Sequence, residues 1–399
     1  MKNIHHLLLF SLILLMSGAC APIKVKQAQG AEITAYAPVY PVLVGKTENP
    51  VFRIQMHLPE DRDVAEVQEL SLDLSGTTDL ADIEAIQVFY TGRKTEFAPE
   101  SRFGTTSEIS RNIRLSGSQN ISGGTHNFWV SVTLHAGADL DHTIALAVPD
   151  LVVDRNKWAV PPAVPNPPRR IGLALRRHNE DQVHTYRIPG LATTNKGTLI
   201  AVYDMRYTQS GDLQEDIDVG MSRSTDGGRT WEPMKVIMDR GEWGGLSQQE
   251  NGIGDPCVLI DRETNTIWVA ALWVHGHGGK PAWFASEPGL EPLQTGQFLL
   301  TKSEDDGLTW SEPVNITSQI KDKEWHLLLD GPGKGIYTSN GTLIFPAQFK
   351  DENEVPHATI VYSKDRGNSW SIGTGAKSRT TEAQVVELSD HRLDVKHEG

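Results

Sequence analysis

Within residues 184–212, HTYRIPGLATTNKGTLIAVYDMRYTQSGD, two arginines and one carboxylate recur at places where chains display binding groups. Arg187 precedes Ile188-Pro189. A tight turn follows at Asn195-Lys196-Gly197. The apolar run 199–203 ends in Asp204-Met205-Arg206, and a polar, glycine-bearing loop then brings Asp212. The pattern predicts strand, turn, strand, loop. Arg187, Arg206 and Asp212 then sit at strand ends and in the loop, where binding groups concentrate. A guanidinium fork suits a ligand that carries a permanent carboxylate. On the residues alone, Asp212 also reads as a solvated loop carboxylate and Arg187 as half of a surface ion pair.

Other reactive side chains are weaker candidates. Cys257 lies in an apolar run with no activating neighbour in view, the pattern of a buried strand thiol. His275-Gly276-His277 offers two histidines to a metal but no third ligand, so loop histidines are expected and no metal or other cofactor. Trp273, just before, reads as pocket wall or as core. The net charge of −14 argues against nucleic acid, whose phosphates need a basic surface. It leaves an anionic small substrate open, because a few arginines in one pocket set the local field.

The elements that must position these residues follow in chain order. With 399 residues, 38% of them apolar and 22% charged, the chain has the make-up of a globular protein of two or three domains. Residues 1–21 read as an export signal: Lys2, the apolar run 7–16, then small residues before Cys20. Small residues ahead of a cysteine resemble a bacterial lipoprotein box with lipid on Cys20, although Ser17 departs from its usual leucine. The alternative cut after Ala21 would leave Pro22 at the new end, which disfavours it. The expected location is the periplasm or the outer membrane, with membrane contact only through that lipid. Only two cysteines are present, Cys20 and Cys257, so no disulfide framework is expected.

Residues 22–160 carry short β-branched and aromatic runs at 70–74, 86–90, 128–134 and 143–148, spaced as in an antiparallel β-sandwich. Its aromatics could bind sugar or fill its own core. The proline-rich stretch 161–169 reads as an extended, semi-rigid linker. Residues 170–399 then repeat one pattern three times: Ser224-Thr-Asp226-Gly-Gly228-Arg-Thr230-Trp231, Ser303-Glu-Asp305-Asp-Gly307-Leu-Thr309-Trp310 and Ser363-Lys-Asp365-Arg-Gly367-Asn-Ser369-Trp370. Each reads as a hairpin turn, with Asp and Ser bonding free backbone N–H groups, Gly taking a positive φ and Trp packing beneath. Calcium loops would need more carboxylates. A turn–strand element also recurs, at Asn195-Lys-Gly197, Asn340-Gly341 and, more loosely, 264–271. Two interleaved elements at intervals of roughly 60 to 80 residues predict an all-β propeller.

Tyr186-Arg187-Ile188-Pro189 followed by three such Asp boxes resembles the bacterial exo-α-sialidases (neuraminidases) of the non-viral type, over about residues 171–388. The resemblance implies a six-bladed propeller that removes terminal sialic acid from glycoconjugates with retention. It implies that Arg187 is the first of three arginines clamping the sugar carboxylate. Arg206 would touch the ring substituents, and Asp212 would be the acid/base. Asp216 and Asp218 are rivals; with Glu215, their charges could favour a protonated Asp212 if they lie close. Asp255 would sit at the N-acetyl and O4 side. Glu382 opens Glu382-Ala-Gln384-Val-Val-Glu387-Leu388, similar to the segment bearing the family's catalytic glutamate. Strand alternation places Glu382 and Gln384 on one face and Glu387 on the other. The anomeric carbon of sialic acid bears a carboxylate, so a tyrosine activated by the glutamate serves as nucleophile where a second carboxylate would be repelled; the sialidases are a known exception to the two-carboxylate rule.

That tyrosine and the other two clamp arginines would lie beyond Glu382, where only residues 383–399 follow. Arg379 and Arg392 match no motif, and near His391 the expected D-G-x-L turn reads Asp390-His-Arg-Leu. About four blades are expected, in a truncated and inactive chain. A non-catalytic propeller that binds sialylated glycans is the alternative.

Overall fold

The computed structural model describes residues 23–27, 30–212 and 215–398. The apolar leader and Cys20 lie outside the described residues. Among those described, strands dominate, and no helix is long and apolar enough to cross a membrane. The chain divides into two compact units between Ala174 and Leu175.

The first unit is a β-sandwich. One antiparallel sheet has the order Lys24–Lys26, Glu32–Tyr36, Asn49–Leu58, Gly124–Leu134, Ile83–Gly92, Arg102–Thr106. The other runs Asn156–Ala159, Ala147–Val153, Ala65–Asp73, Asn112–Ile121. Alternation builds the core between them: Phe52, Ile54, Met56 and Leu58 of one strand are all buried in it. Phe103 and Phe128 are buried in the same core, while Trp129 lies on the opposite face of its sheet against Phe97 and Arg53.

The stretch 161–169 is not a spacer. Ala163 is buried, and Asn166 Nδ2 donates to Leu146 O at 3.0 Å. The buried Arg169 donates to Pro38 O and Val51 O, both at 2.7 Å. Strand Arg169–Leu173 then pairs in parallel with Val42–Val44. Proline stiffened the segment without preventing it from packing, and the first unit extends to Ala174.

The second unit is built of four-stranded meanders, the blades of a β-propeller. Thr185–Thr193, Leu199–Arg206, Ile217–Ser224 and Lys235–Met238 form the first blade; Ile253–Ile260, Ile267–Trp273, Gln297–Ser303 and Val314–Asn315 form the second. Leu327–Asp330, Leu343–Lys350, Pro356–Ser363 and Ser371–Ile372 form the third, and the hairpin Thr381–Glu387/Leu393–Glu398 follows. The described blades do not close a ring.

Each Asp box joins the third strand of a blade to its fourth. In the first, Gly228 N donates to Ser224 Oγ at 2.9 Å and Thr230 N to Asp226 Oδ1 at 2.9 Å. The other two boxes repeat both bonds. Hydrogen bonds from Thr230, Thr309 and Ser369 hold the three box carboxyls down at about 2, below the usual 3.8.

The hairpins joining first to second strands each need one left-handed residue: Gly197 (φ 83°), Asn265 (φ 62°), Gly341 (φ 85°) and His391 (φ 64°). The turn at 388–392 therefore forms despite its missing glycine. His391 takes the glycine position, Leu388 N donates to Arg392 O at 2.8 Å, and His391 Nδ1 is 2.9 Å from Ser339 Oγ.

Candidate active site

Three of the candidate residues sit where a first strand breaks its register. The strands Thr185–Thr193, Ile253–Ile260 and Thr381–Glu387 each carry a β-bulge, and the bulges hold Ile188 (φ 53°), Asp255 (φ 58°) and Glu382 (φ 47°). Each is six residues before the N–H that opens the blade's first turn, at Thr194, Asp261 and Leu388. In the third blade that place is Pro332, whose ring forbids a positive φ, and Gly333 (φ 110°) takes it instead. A bulge re-aims a side chain out of the sheet's alternation. Here it turns Asp255 and Glu382, and the neighbouring Arg187, away from ordinary strand positions. The first strands also crowd together: a Cβ added at Gly190 would collide with the Gly333 carbonyl, and one at Gly331 with the Ala383 carbonyl.

Arg187 Nη1 donates to Asp212 Oδ1 at 2.9 Å and to Ser210 O at 3.0 Å. Arg206 Nη1 reaches the same carboxyl oxygen at 3.0 Å. Asp212 is thus gripped by two guanidinium groups while its own side chain stays 71% exposed. Arg206 is buried, and Asp204 Oδ2 receives its Nε at 3.0 Å and Nη2 at 2.7 Å. The other Asp204 oxygen accepts from Asp255 N at 2.7 Å, and Asp255 Oδ1 lies 3.8 Å from Arg206 Nη2. Glu382 N donates to Gln348 Oε1, and Gln384 Nε2 to Pro332 O at 2.7 Å.

Burial pushes the Asp204 carboxyl up from the usual 3.8, against the pull of Arg206. Asp255 is pushed up as well, by burial first and then by the Asp204 charge, with Asp212 and Glu382 adding to it. Asp330, at the end of the third blade's first strand, is fully buried and held well above the usual range by burial and by Asp255. Among the described residues no donor of another residue reaches either of its oxygens.

A cavity of about 430 Å³ opens among the first strands, within the size range of small-molecule sites. Asp212, Asp255, Gln348, Thr381 and Glu382 are its polar lining residues. Leu272, Leu327 and Leu329 line it as well, with Pro281 and Ala282, Trp283 and Phe284 of the short helix Ala282–Ala285. Arg187 and Arg206 do not border the cavity themselves; they reach it through Asp212. Such a pocket can hold a small molecule with hydroxyl and apolar groups and can exchange a proton at Asp212 or Glu382, and an anionic group would have to be met by the arginines behind Asp212.

Of the residues read from the sequence, the structure therefore brings together Arg187, Arg206, Asp212, Asp255 and Glu382. It sets the others apart. Asp216 accepts from Gln248, Asp218 is buried under the Tyr207 hydroxyl, and Glu215 accepts from Thr208 and Gln209; none lines the cavity. Glu387 caps Ser339, receiving its N–H at 2.8 Å. Arg379 donates its N–H to Pro356 O, and the Arg392 side chain pairs with Asp390. Trp273 is core, packed edge-on to Trp243, and His275 pairs with Asn251. Sequence reading missed Asp204, Gln348 and Asp330. Only Asp204 carried a signal, since residues two apart on a strand share a face and Asp204 stands two before Arg206.

Residues 29–157 match the N-terminal domain of BNR-repeat neuraminidase, and residues 188–394 match the BNR repeat-like domain. A sialidase of Bacteroides fragilis is 40% identical over 375 residues, 87% of this chain and 68% of that protein. A sialidase of Clostridium perfringens is 30% identical over 51% of this chain and 53% of its own length. Among solved structures, a Hadza microbial sialidase superposes with a TM-score of 0.81 at 40% identity, covering 91% of this chain and 75% of that one. With both units matched and the bulged first strands gathering its charged residues, the chain belongs to the BNR-repeat sialidases, glycoside hydrolases also called neuraminidases.

Proposed function

We propose that this chain carries the sugar site of an exo-α-sialidase acting on terminal sialic acid of glycoproteins, glycolipids and oligosaccharides. The observation that carries the reading is one cavity lined by Asp212, Asp255 and Glu382, with two arginines bonded to Asp212. In this reading the sugar carboxylate competes with Asp212 for the Arg187 guanidinium, a charge-assisted and geometrically selective contact. Asp212, exposed at the mouth, protonates the leaving oxygen and later takes a proton from water. Glu382 draws the proton from the family's tyrosine nucleophile, a residue to which no position in this chain is assigned. Asp204 fixes Arg206 and, through its bond to Asp255 N, the left-handed turn that aims Asp255. We also propose that the protein is exported and lipid-anchored through Cys20.

The test is release of a fluorescent aglycone from a sialoside. Turnover is expected wherever the nucleophilic tyrosine is supplied, with Asp212→Asn lowering kcat there by about 10²- to 10⁴-fold, the usual worth of a positioned acid/base. A protein that binds the sialoside and never cleaves it would favour the non-catalytic alternative.

A further inference from the structure

Antiparallel pairing fixes the end at which the chain enters its first unit. Lys24 stands opposite Thr34 and Lys26 opposite Glu32, so the chain arrives at the end where the strand Glu32–Tyr36 leaves. Ile23, the first described residue, is exposed. Just past Tyr36 come Val39 and Tyr40, which are 57% and 74% exposed. The stretch 161–169 folds against the same place. Arg169 donates to Pro38 O at 2.7 Å and to Asn166 Oδ1 at 3.0 Å, and Val164, shortly before, is left exposed.

Charge is missing from both segments. No Asp, Glu, Lys or Arg occurs in residues 33–45 or 158–168, in a chain that is 22% charged. Exposed apolar side chains gathered without charge mark a contact with another apolar body. The leader says which body. Three residue steps separate Ile23 from Cys20, and an extended chain covers at most about 3.6 Å per residue, so a lipid on Cys20 is held within about 11 Å of Ile23. That lipid brings a bilayer to this end of the unit.

We propose that this end of the first unit is a membrane-seating surface, with Tyr40, Val39, Val164 and Ile23 entering the headgroup–acyl boundary once Cys20 is lipidated. The proposal rests on the lipid anchor at Cys20. Tyrosine suits that depth, its ring apolar and its hydroxyl left among the headgroups. The tether makes the contact intramolecular, so a few side chains that would not hold a free protein to a bilayer are enough to orient a tethered one. Strand Arg169–Leu173 runs away from this end, and Ala174 N bonds Val44 O at 3.1 Å, so the chain leaves the unit elsewhere.

Spin labels read the depth. Val64 serves as the control: it is 68% exposed in the turn after Leu58, at the far end of the same sheet, where His57 stands opposite Glu32. Tyr40→Cys and Val64→Cys are made separately in the full lipidated chain, whose Cys257 is buried and whose Cys20 is blocked by lipid. Each is labelled on vesicles of phosphatidylethanolamine and phosphatidylglycerol. The label at 40 is expected about 5 to 10 Å inside the headgroup–acyl boundary, the depth of a seated apolar face, and the label at 64 in water. Both labels in water, or both equally deep, would overturn the seating surface and leave the anchor standing. A label at 40 that is shielded without vesicles in the Cys20→Ala chain, with that chain sedimenting as a dimer, would overturn it in favour of a second copy. A wild type that takes up no fatty acid would overturn the anchor and this proposal with it.

Discussion

Asp204, Asp255 and Asp330 interact with one another electrostatically, and Arg206 compensates the first two. A site for an anionic sugar cannot keep all three ionised beside Asp212, so protons must be retained. Asp330 retains one most firmly, because it is fully buried and no other residue donates to it. The unfolded chain releases the same proton near 3.8. Between that value and the raised folded one, the native state binds more protons than the unfolded state. The Asp330 carboxyl therefore costs stability increasingly as pH rises from about 4. Asp330→Asn relieves that cost, by about 1 to 3 kcal/mol for a buried unsatisfied group. Its Tm should match the wild type near pH 4 and exceed it by several degrees at pH 8. An equal difference at both pH values, read by thermal denaturation, would count against a retained proton.

One element, the bulged first strand with its following turn, accounts for where the site residues are. The bulge supplies the aim and the turn fixes the distance, so the same step of six residues leads back to Ile188, Asp255 and Glu382. Left-handed conformations of non-glycine residues are costly and cluster at functional sites. His391 is different, since its turn serves the hairpin alone and its side chain is exposed, bonding Ser339. His391→Gly should stabilise the unit by roughly 0.5 to 1 kcal/mol, the relief of backbone strain less one exposed hydrogen bond. Chemical denaturation reads this directly, and a destabilised variant would show that the Ser339 contact outweighs the strain.

At the scale of the whole molecule, the leader makes a separate prediction: labelled fatty acid enters the wild type in a bacterial host, and Cys20→Ala abolishes incorporation. Labelling that survives the substitution would remove the anchor. Much of the second unit was legible, because S-x-D-x-G-x-[ST]-W is local turn chemistry that tertiary context cannot rewrite. Arg187, Asp212 and Glu382 were legible only through a family pattern, since nothing local says that bulges two hundred residues apart face one cavity. Gln348 and Asp330 were invisible: each looks like an ordinary strand residue until the neighbouring blade is placed. The proline stretch misled because composition reports stiffness and is silent on packing partners. The central claim concerns that single cavity, and a crystal structure of the chain soaked with sialic acid tests it most directly. The account predicts the sugar between Asp212, Asp255 and Glu382, with its carboxylate within hydrogen-bond distance of Arg187. Sugar bound at another surface, or an empty cavity at saturating concentration, would contradict it.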